Sequence, residues 1–390
     1  MRTDIISHGG ASRQVTTEKI AELDQLGNIV KFVSAPDSIR KNRYKLQEKM
    51  QSLLKAHTAF DEFKGLKTCM KVQISDVAIH HSVEHNKAFY GNLATCSSVW
   101  ACPVCSAKIQ SRRAQEINKG MFRMYHAGYT AAMITFTHPH NRTMGLASNI
   151  DMHNNALRKL RAGRQWVKFK DRTGYKGLIR GSEVTHGLNG WHYHTHEIWF
   201  VAGGYDMSKE REWLANRWYE CCIKAGFDIQ DKSAFLANAV NIQVDVHSSQ
   251  YLAKFGRTWG IDKEVSMGAS KKGHGKTPFE LLDSDDSRDN ELFIEYVRAT
   301  RGKAQLFWSR GLKAMCGIQL KTDEELNAEQ DDTAEVIAFL SRDLWNCVKY
   351  NHARAELLDI AEVYGFDGIQ EWFKQYGYTI QPPKKNGMIA

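Results

Sequence analysis

Residues 190–201 read Gly190-Trp191-His192-Tyr193-His194-Thr195-His196-Glu197-Ile198-Trp199-Phe200-Val201. As a strand, this segment puts His192, His194 and His196 on one face, because side chains alternate with a period of two. Three neutral imidazoles on one face form a ready set of metal ligands. The bland alternative is a polar strand face at the surface. That suits a single histidine better than three, since protonated neighbours on a shared face repel one another. Ile198, Trp199, Phe200 and Val201 follow at once, as expected of a strand that presents the histidines and then enters a core.

Gly187, Leu188, Asn189 and Gly190 read as a hairpin turn between strands at 178–186 and 191–201. Antiparallel pairing would then bring the Glu183 carboxylate to the histidine face. Further strands are predicted at 130–137 and 240–246, and helices at 39–57, 105–127, 148–170 and 207–225. The expected class is α+β, a central antiparallel sheet with flanking helices. A Cys-rich segment and a helical C-terminal region complete it.

Eight cysteines occur, four of them at Cys69, Cys96, Cys102 and Cys105. The Cys102–Cys105 spacing is that of a zinc knuckle, so a structural zinc site is expected on Cys96, Cys102, Cys105 and a fourth ligand. Cys69 is preferred for that fourth place, with His80, His81 and His85 as substitutes. A redox role for the pair is the competing reading, but no thioredoxin-like pattern surrounds it.

The formal charge of +9 is unevenly placed. Beyond residue 320 there are seven basic and thirteen acidic residues, which leaves about +15 on the first 320. Between Arg158 and Arg180 lie nine Lys or Arg and one acid, Asp171, with Trp166, Phe169 and Tyr175 interleaved. A charge run is usually a solvated helix face. The interleaved aromatics instead suggest a basic groove with stacking platforms for single-stranded nucleic acid. Arg164, Trp166, Lys168, Lys170 and Arg172 are therefore the candidate DNA contacts. His138, just after the strand at 130–137, joins them as a DNA-facing or supporting group.

No apolar run is long enough to span a bilayer, and the polar start Met1-Arg2-Thr3-Asp4 does not read as a signal peptide. A cytoplasmic chain with no membrane partner is expected.

The stretch from Glu183 to Val201, with Gly190-Trp191-His192 and His194-Thr195-His196, resembles the metal-binding motif of rolling-circle replication initiators in the HUH endonuclease superfamily. Ile134-Thr135-Phe136-Thr137-His138 looks like the strand motif that precedes it. Gln250-Tyr251-Leu252-Ala253-Lys254-Phe255 looks like the helix that carries the nucleophile. Cys96 and Cys102 to Lys108 are similar to the cysteine-rich entry of plasmid replication proteins. The run from Glu295-Tyr296 through Arg301-Gly302-Lys303 to Lys313 looks like their basic segment. The resemblance covers roughly residues 69 to 315.

This resemblance implies a ferredoxin-like or RNA-recognition-type sheet. It also implies a Mg or Mn site on His194, His196 and Glu183, with His192 as a ligand or supporting group and His192–His194 as the alternative pair. Tyr251 would be the nucleophile, with Lys254 one helical turn along to stabilise phenolate or phosphate. The family pattern has a bulky hydrophobic residue where this chain has Thr195, and a water-activating glutamate where it has His247. His247 is then the candidate base for termination.

The implied partners are single-stranded or supercoiled origin DNA and a host helicase and DNA polymerase. Gly273-His274-Gly275-Lys276-Thr277 lacks the glycine spacing of a phosphate-binding loop, so unwinding would fall to the host. The expected layout is an N-terminal helical segment (1–60), a zinc-binding segment and helix (61–127), a nickase core (128–260), a basic extension (261–320) and an acidic helical region (321–390). Competing readings are an HUH transposase or relaxase, a non-catalytic zinc-dependent DNA-binding regulator, and a hydrolase using metal-bound water.

Overall fold

The computed structural model describes residues 39–82, 86–244, 246, 275–329 and 334–383, together with the backbone of strands at 21–23 and 29–32. In chain order the elements are β1 Ala21–Leu23, β2 Ile29–Phe32, α1 Ile39–His57, α2 Lys64–Thr68, β3 Gln73–Ser82, β4 Lys87–Leu93, α3 Pro103–His126, β5 Tyr129–Phe136, α4 Leu146–Leu160, α5 Gly163–Thr173, β6 Gly177–Gly187 and β7 Gly190–Ala202. They continue with α6 Arg211–Ala225, α7 Lys232–Asn238, β8 Val240–Gln243, α8 Pro278–Asp283, α9 Ser287–Thr300, β9 Leu306–Trp308, α10 Leu312–Met315, α11 Asp323–Ala328, β10 Ala334–Leu340, α12 Arg342–Tyr350 and α13 Arg354–Lys374.

The chain divides into two compact units, one formed by 1–38, 76–92 and 333–390, the other by 39–75 and 93–332. In the first unit β10 pairs antiparallel with β3, which neighbours β4. Tyr90 Oη donates to the Arg354 carbonyl over a core that includes Trp345 and Trp372. The C-terminal region expected to be helical therefore contributes a strand as well. Val336-Ile337-Ala338-Phe339-Leu340 is a short unbroken apolar run, which periodicity alone does not distinguish from a buried helical segment.

The second unit carries a five-stranded sheet in the order β8-β5-β7-β6-β9, every neighbouring pair antiparallel. Strand, helix, two strands, helix, strand with that spatial order is the split βαβ arrangement of ferredoxin-like sheets. The hairpin sits where expected, with Gly187 facing Gly190. Gly190 has φ +86°, and a Cβ there would come within 2.8 Å of the Asn141 carbonyl, so both conformation and space demand glycine.

Alternation sorts the two faces. Ala132, Ile134, Phe136, Trp199 and Val201 pack with Leu157, Leu160, Phe169 and Trp218 from α4, α5 and α6. Ala131, Met133, Ile179, Ile198 and Phe200 face the other way, against Ile117, Met121 and Met124 of α3. The single helix expected over 148–170 is instead α4 and α5, broken where Gly163 takes φ +78°. The strand expected over 240–246 ends at Gln243, after which Val246 rejoins the sheet by bonding the Ala131 carbonyl.

Candidate metal centre

His192, His194 and His196 share their face with Ile198 and Phe200, by the alternation of β7. The apolar residues of α3 pack on the end of this face nearest Tyr129, and the histidines lie at the opposite end. Register places Glu183 of β6 directly across from His194. Glu183 Oε2 lies 2.8 Å from His194 Nε2 and 3.3 Å from His196 Nε2, and the two nitrogens are 3.1 Å apart. Donor atoms held about 2.1 Å from an octahedral ion at right angles lie about 3 Å apart, so these three fit one face of such an ion. Burial raises the Glu183 pKa, but hydrogen bonds and charge from His194 and His196 outweigh it and hold the carboxyl well below its ordinary value. Its Oε1 is buried with no hydrogen-bond partner among the described residues, so the carboxylate keeps an oxygen that a bound cation could use.

His196 is oriented from behind. Thr135 Oγ1 lies 2.8 Å from its Nδ1, the kind of outer contact that fixes the tautomer of a ligating imidazole. His192 stands apart from this group: its Nε2 meets Thr137 Oγ1 at 2.9 Å, and its ring stacks on His194 at 4.6 Å and on His140 at 4.8 Å. Burial, then the neighbouring His194, pushes the His192 pKa down to about 3. His192 is thus a neutral wall of the site, and the three converging groups are Glu183, His194 and His196.

A polar network grips β7 from the opposite face. His153 Nε2 lies 3.0 Å from Thr195 Oγ1, and its Nδ1 lies 2.9 Å from His138 Nδ1. His138 Nε2 meets Asn149 Oδ1, while Asn149 Nδ2 donates to the Trp191 carbonyl at 2.9 Å. Because the Asn149 amide nitrogen is committed, its oxygen accepts from His138. His138 Nδ1 must then accept from His153, and His153 Nε2 from the Thr195 hydroxyl. The chain runs one way only with both rings neutral, and burial depresses both, His138 to about 3 and His153 well below its ordinary value.

The four cysteine sulfurs converge in the same unit. Cys69 Sγ lies 3.8 Å from Cys102 and 3.5 Å from Cys105, and Cys96 lies 3.7 Å from Cys105. Thiolates around one tetrahedral ion at about 2.3 Å would be about 3.8 Å apart, so the cluster fits a cation and is far from disulfide distance. Donors surround it: Gln47 Nε2 to Cys102, the Cys96 amide to Cys69, the Ser98 amide to Cys96, and Asn327 Nδ2 to Cys105. Gln47 and Asn327 come from α1 and α11, far away in sequence, and no local signal marked them.

The chain is 27% identical over 353 residues to "Protein rep" of Streptomyces lividans, covering 72% of this chain and 77% of that protein. The chain is Rep-like. The Rep-like chain is also 31% identical over 136 residues to "Neomycin resistance protein" of Streptomyces cyanogenus, covering 28% of this chain and 31% of that protein. No family model matches the chain, and no solved structure matches it. No described helix of the Rep-like chain is long and apolar enough to cross a membrane.

The basic run divides. Arg164 and Lys168 of α5 are exposed and Lys170 is partly so. Arg172 pairs with Glu210 and lies over the Phe169 and Trp213 rings. Trp166, expected as a stacking platform, is instead a core residue at 7% exposure, packed on Phe169, Tyr175 and Trp199. The aromatic spacing of the run is the inner face of an amphipathic helix. His138, expected to contact DNA, is 4% exposed and belongs to the network under β7. Tyr251, Lys254 and His247 lie outside the described residues.

Proposed function

We propose that this Rep-like chain initiates rolling-circle replication of a plasmid or small phage genome by nicking single-stranded origin DNA through Tyr251. The observation that carries this reading is the Glu183–His194–His196 triad, whose donors take one side of an ion and leave the other side for substrate oxygens. Mg or Mn bound there would polarise the scissile phosphate. Zinc on Cys69, Cys96, Cys102 and Cys105 would be structural, tying the start of α3 to the loops before it.

The chain around Tyr251 supports this role. Val246 is buried in the cluster on the histidine face, and on the far side of the undescribed stretch Lys276 bridges His186 of β6. Val246 bonds Ala131, while Thr135, four residues along β5 and so about 13 Å away, holds His196. Tyr251 follows Val246 by five positions, so the chain leaves the histidine face of the sheet shortly before the proposed nucleophile.

In the nicking step the Tyr251 oxygen bonds to phosphorus as the bond from phosphorus to the 3′ oxygen breaks. The products are a 5′-phosphotyrosine and a 3′-hydroxyl that primes synthesis. Attack by a 3′-hydroxyl on the phosphotyrosine reverses the step and rejoins strands. Only about a thousandth of a free phenol is ionised at pH 7, so the proton must pass to a base while Lys254 stabilises the phenolate or the phosphate. His247 would activate the water that ends the cycle. A host helicase and polymerase would open and copy the template.

The test is to incubate the protein with labelled single-stranded DNA spanning its replicon's origin and Mn. A denaturant-resistant protein–DNA adduct is expected, absent in Tyr251→Phe and in the metal-free protein, which still binds DNA. No adduct from the wild type, or an undiminished one from Tyr251→Phe, defeats the mechanism.

A further inference from the structure

We propose that a groove beside the metal centre receives one unpaired base of the bound strand and favours a base carrying an exocyclic amino group over thymine. The inference rests on the reading of the chain as a binder of single-stranded DNA, and it deepens that reading by assigning a specificity site.

The groove encloses about 590 Å3 between the loop after β5 and the segment running into α7. One wall is continuous with the metal centre: Thr137 and His140 line the groove, Thr137 bonds His192, and His140 stacks on the His192 ring that itself stacks on His194. A base lodged here would be two stacked rings away from a metal-facing imidazole.

The lining chemistry suits a base and not a phosphate. No lysine or arginine lines it among the described residues, whereas Asp228 and Asp231 do, so an anion would be repelled. Pro139, Met144, Ile229 and Phe235 supply apolar surface against which a flat ring can lie. Asn141, Asn189, Gln230 and Asn238 add amide edges, the groups that pair with base edges.

Existing bonds leave acceptors in excess. Asp228 Oδ1 takes the Gln230 amide and Asp231 Oδ1 takes the Ala234 backbone N–H, and each carboxylate keeps its second oxygen for a ligand. Asn238 Nδ2 is committed to the Ala234 carbonyl, so its oxygen is what it offers. Acceptors call for donors, and adenine, cytosine and guanine each present a two-hydrogen amino group where an unpaired thymine offers only its single N3–H.

The test measures fluorescence anisotropy of labelled oligo(dA), oligo(dC) and oligo(dT) of equal length with the full chain. Two variants attack the groove from different sides. Asp228→Asn halves the carboxylate chemistry, and Ala234→Trp fills the space from the exposed face of α7. We expect oligo(dA) and oligo(dC) to bind at least about five-fold more tightly than oligo(dT). Both variants, shown folded by circular dichroism, should lose that margin and keep wild-type affinity for oligo(dT).

Equal wild-type affinity for all three strands overturns the groove assignment while leaving the nickase reading intact. So does a preference that survives in either folded variant. Failure of the wild type to bind any of the three defeats the single-strand reading itself, which the Tyr251 adduct assay checks independently.

Discussion

His153 of α4 accepts a hydrogen bond from Thr195, the residue of β7 that stands between His194 and His196, at 3.0 Å. The contact lies on the side of the sheet away from the histidine face, so a helix of the core sets the position of a strand whose other side presents His194 and His196. Replacing Thr195 with valine removes the donor and leaves a buried imidazole nitrogen unsatisfied, costing about 1–3 kcal/mol. Urea denaturation should show that loss in Thr195→Val and near wild-type stability in Thr195→Ser.

Acid should weaken the same network. His138 and His153 stay neutral when folded because burial depresses both, yet in the unfolded chain each titrates near 6.5. Below that pH the unfolded state takes up protons that the folded state refuses. Their contribution is therefore whole above pH 6.5 and is lost as pH falls towards the folded value, about 3 for His138. The loss is at most about 1.4 kcal/mol per pH unit for each histidine. Denaturation midpoints between pH 7.5 and 5 should fall in the wild type and fall less steeply in a His138→Gln, His153→Gln double variant; parallel slopes would refute the assignment.

At the cysteine cluster the expectation is one tightly held zinc. Elemental analysis should find it in the wild type and lose it in Cys102→Ser, whose side chain Gln47 contacts directly. A strong chelator should lower the melting temperature of the wild type and leave that variant unmoved.

The basic helix should behave as a backbone-tracking surface without a stacking platform. Reversing the charge of Arg164, Lys168 and Lys170 should weaken single-strand binding and flatten its salt dependence, by about 0.7 in log–log slope for each lost contact. Trp166→Ala, by contrast, should cost about 3–5 kcal/mol of stability, because its ring packs on Trp199 and Phe169. Salt titrations of affinity and denaturation curves separate the two effects.

By itself the sequence determined whatever depends on neighbours along the chain. Alternation in 190–201 and the turn at 187–190 were enough to pair Glu183 with His194, since a hairpin fixes its own register. The grouping of the four cysteines was legible for a similar reason, three of them lying within ten residues. Tertiary structure decided what depends on which face a residue turns to and what packs against it. It separated His192 from the converging triad by giving its nitrogen to Thr137. It also took Trp166 and His138 into the interior, where a sequence of alternating basic and aromatic residues could not show which side met solvent. Thr135, Gln47, Asn149, His153 and Asn327 became part of the two sites only through contacts between elements distant in sequence. No local period encodes such contacts, because they form only when the sheet and its helices have packed.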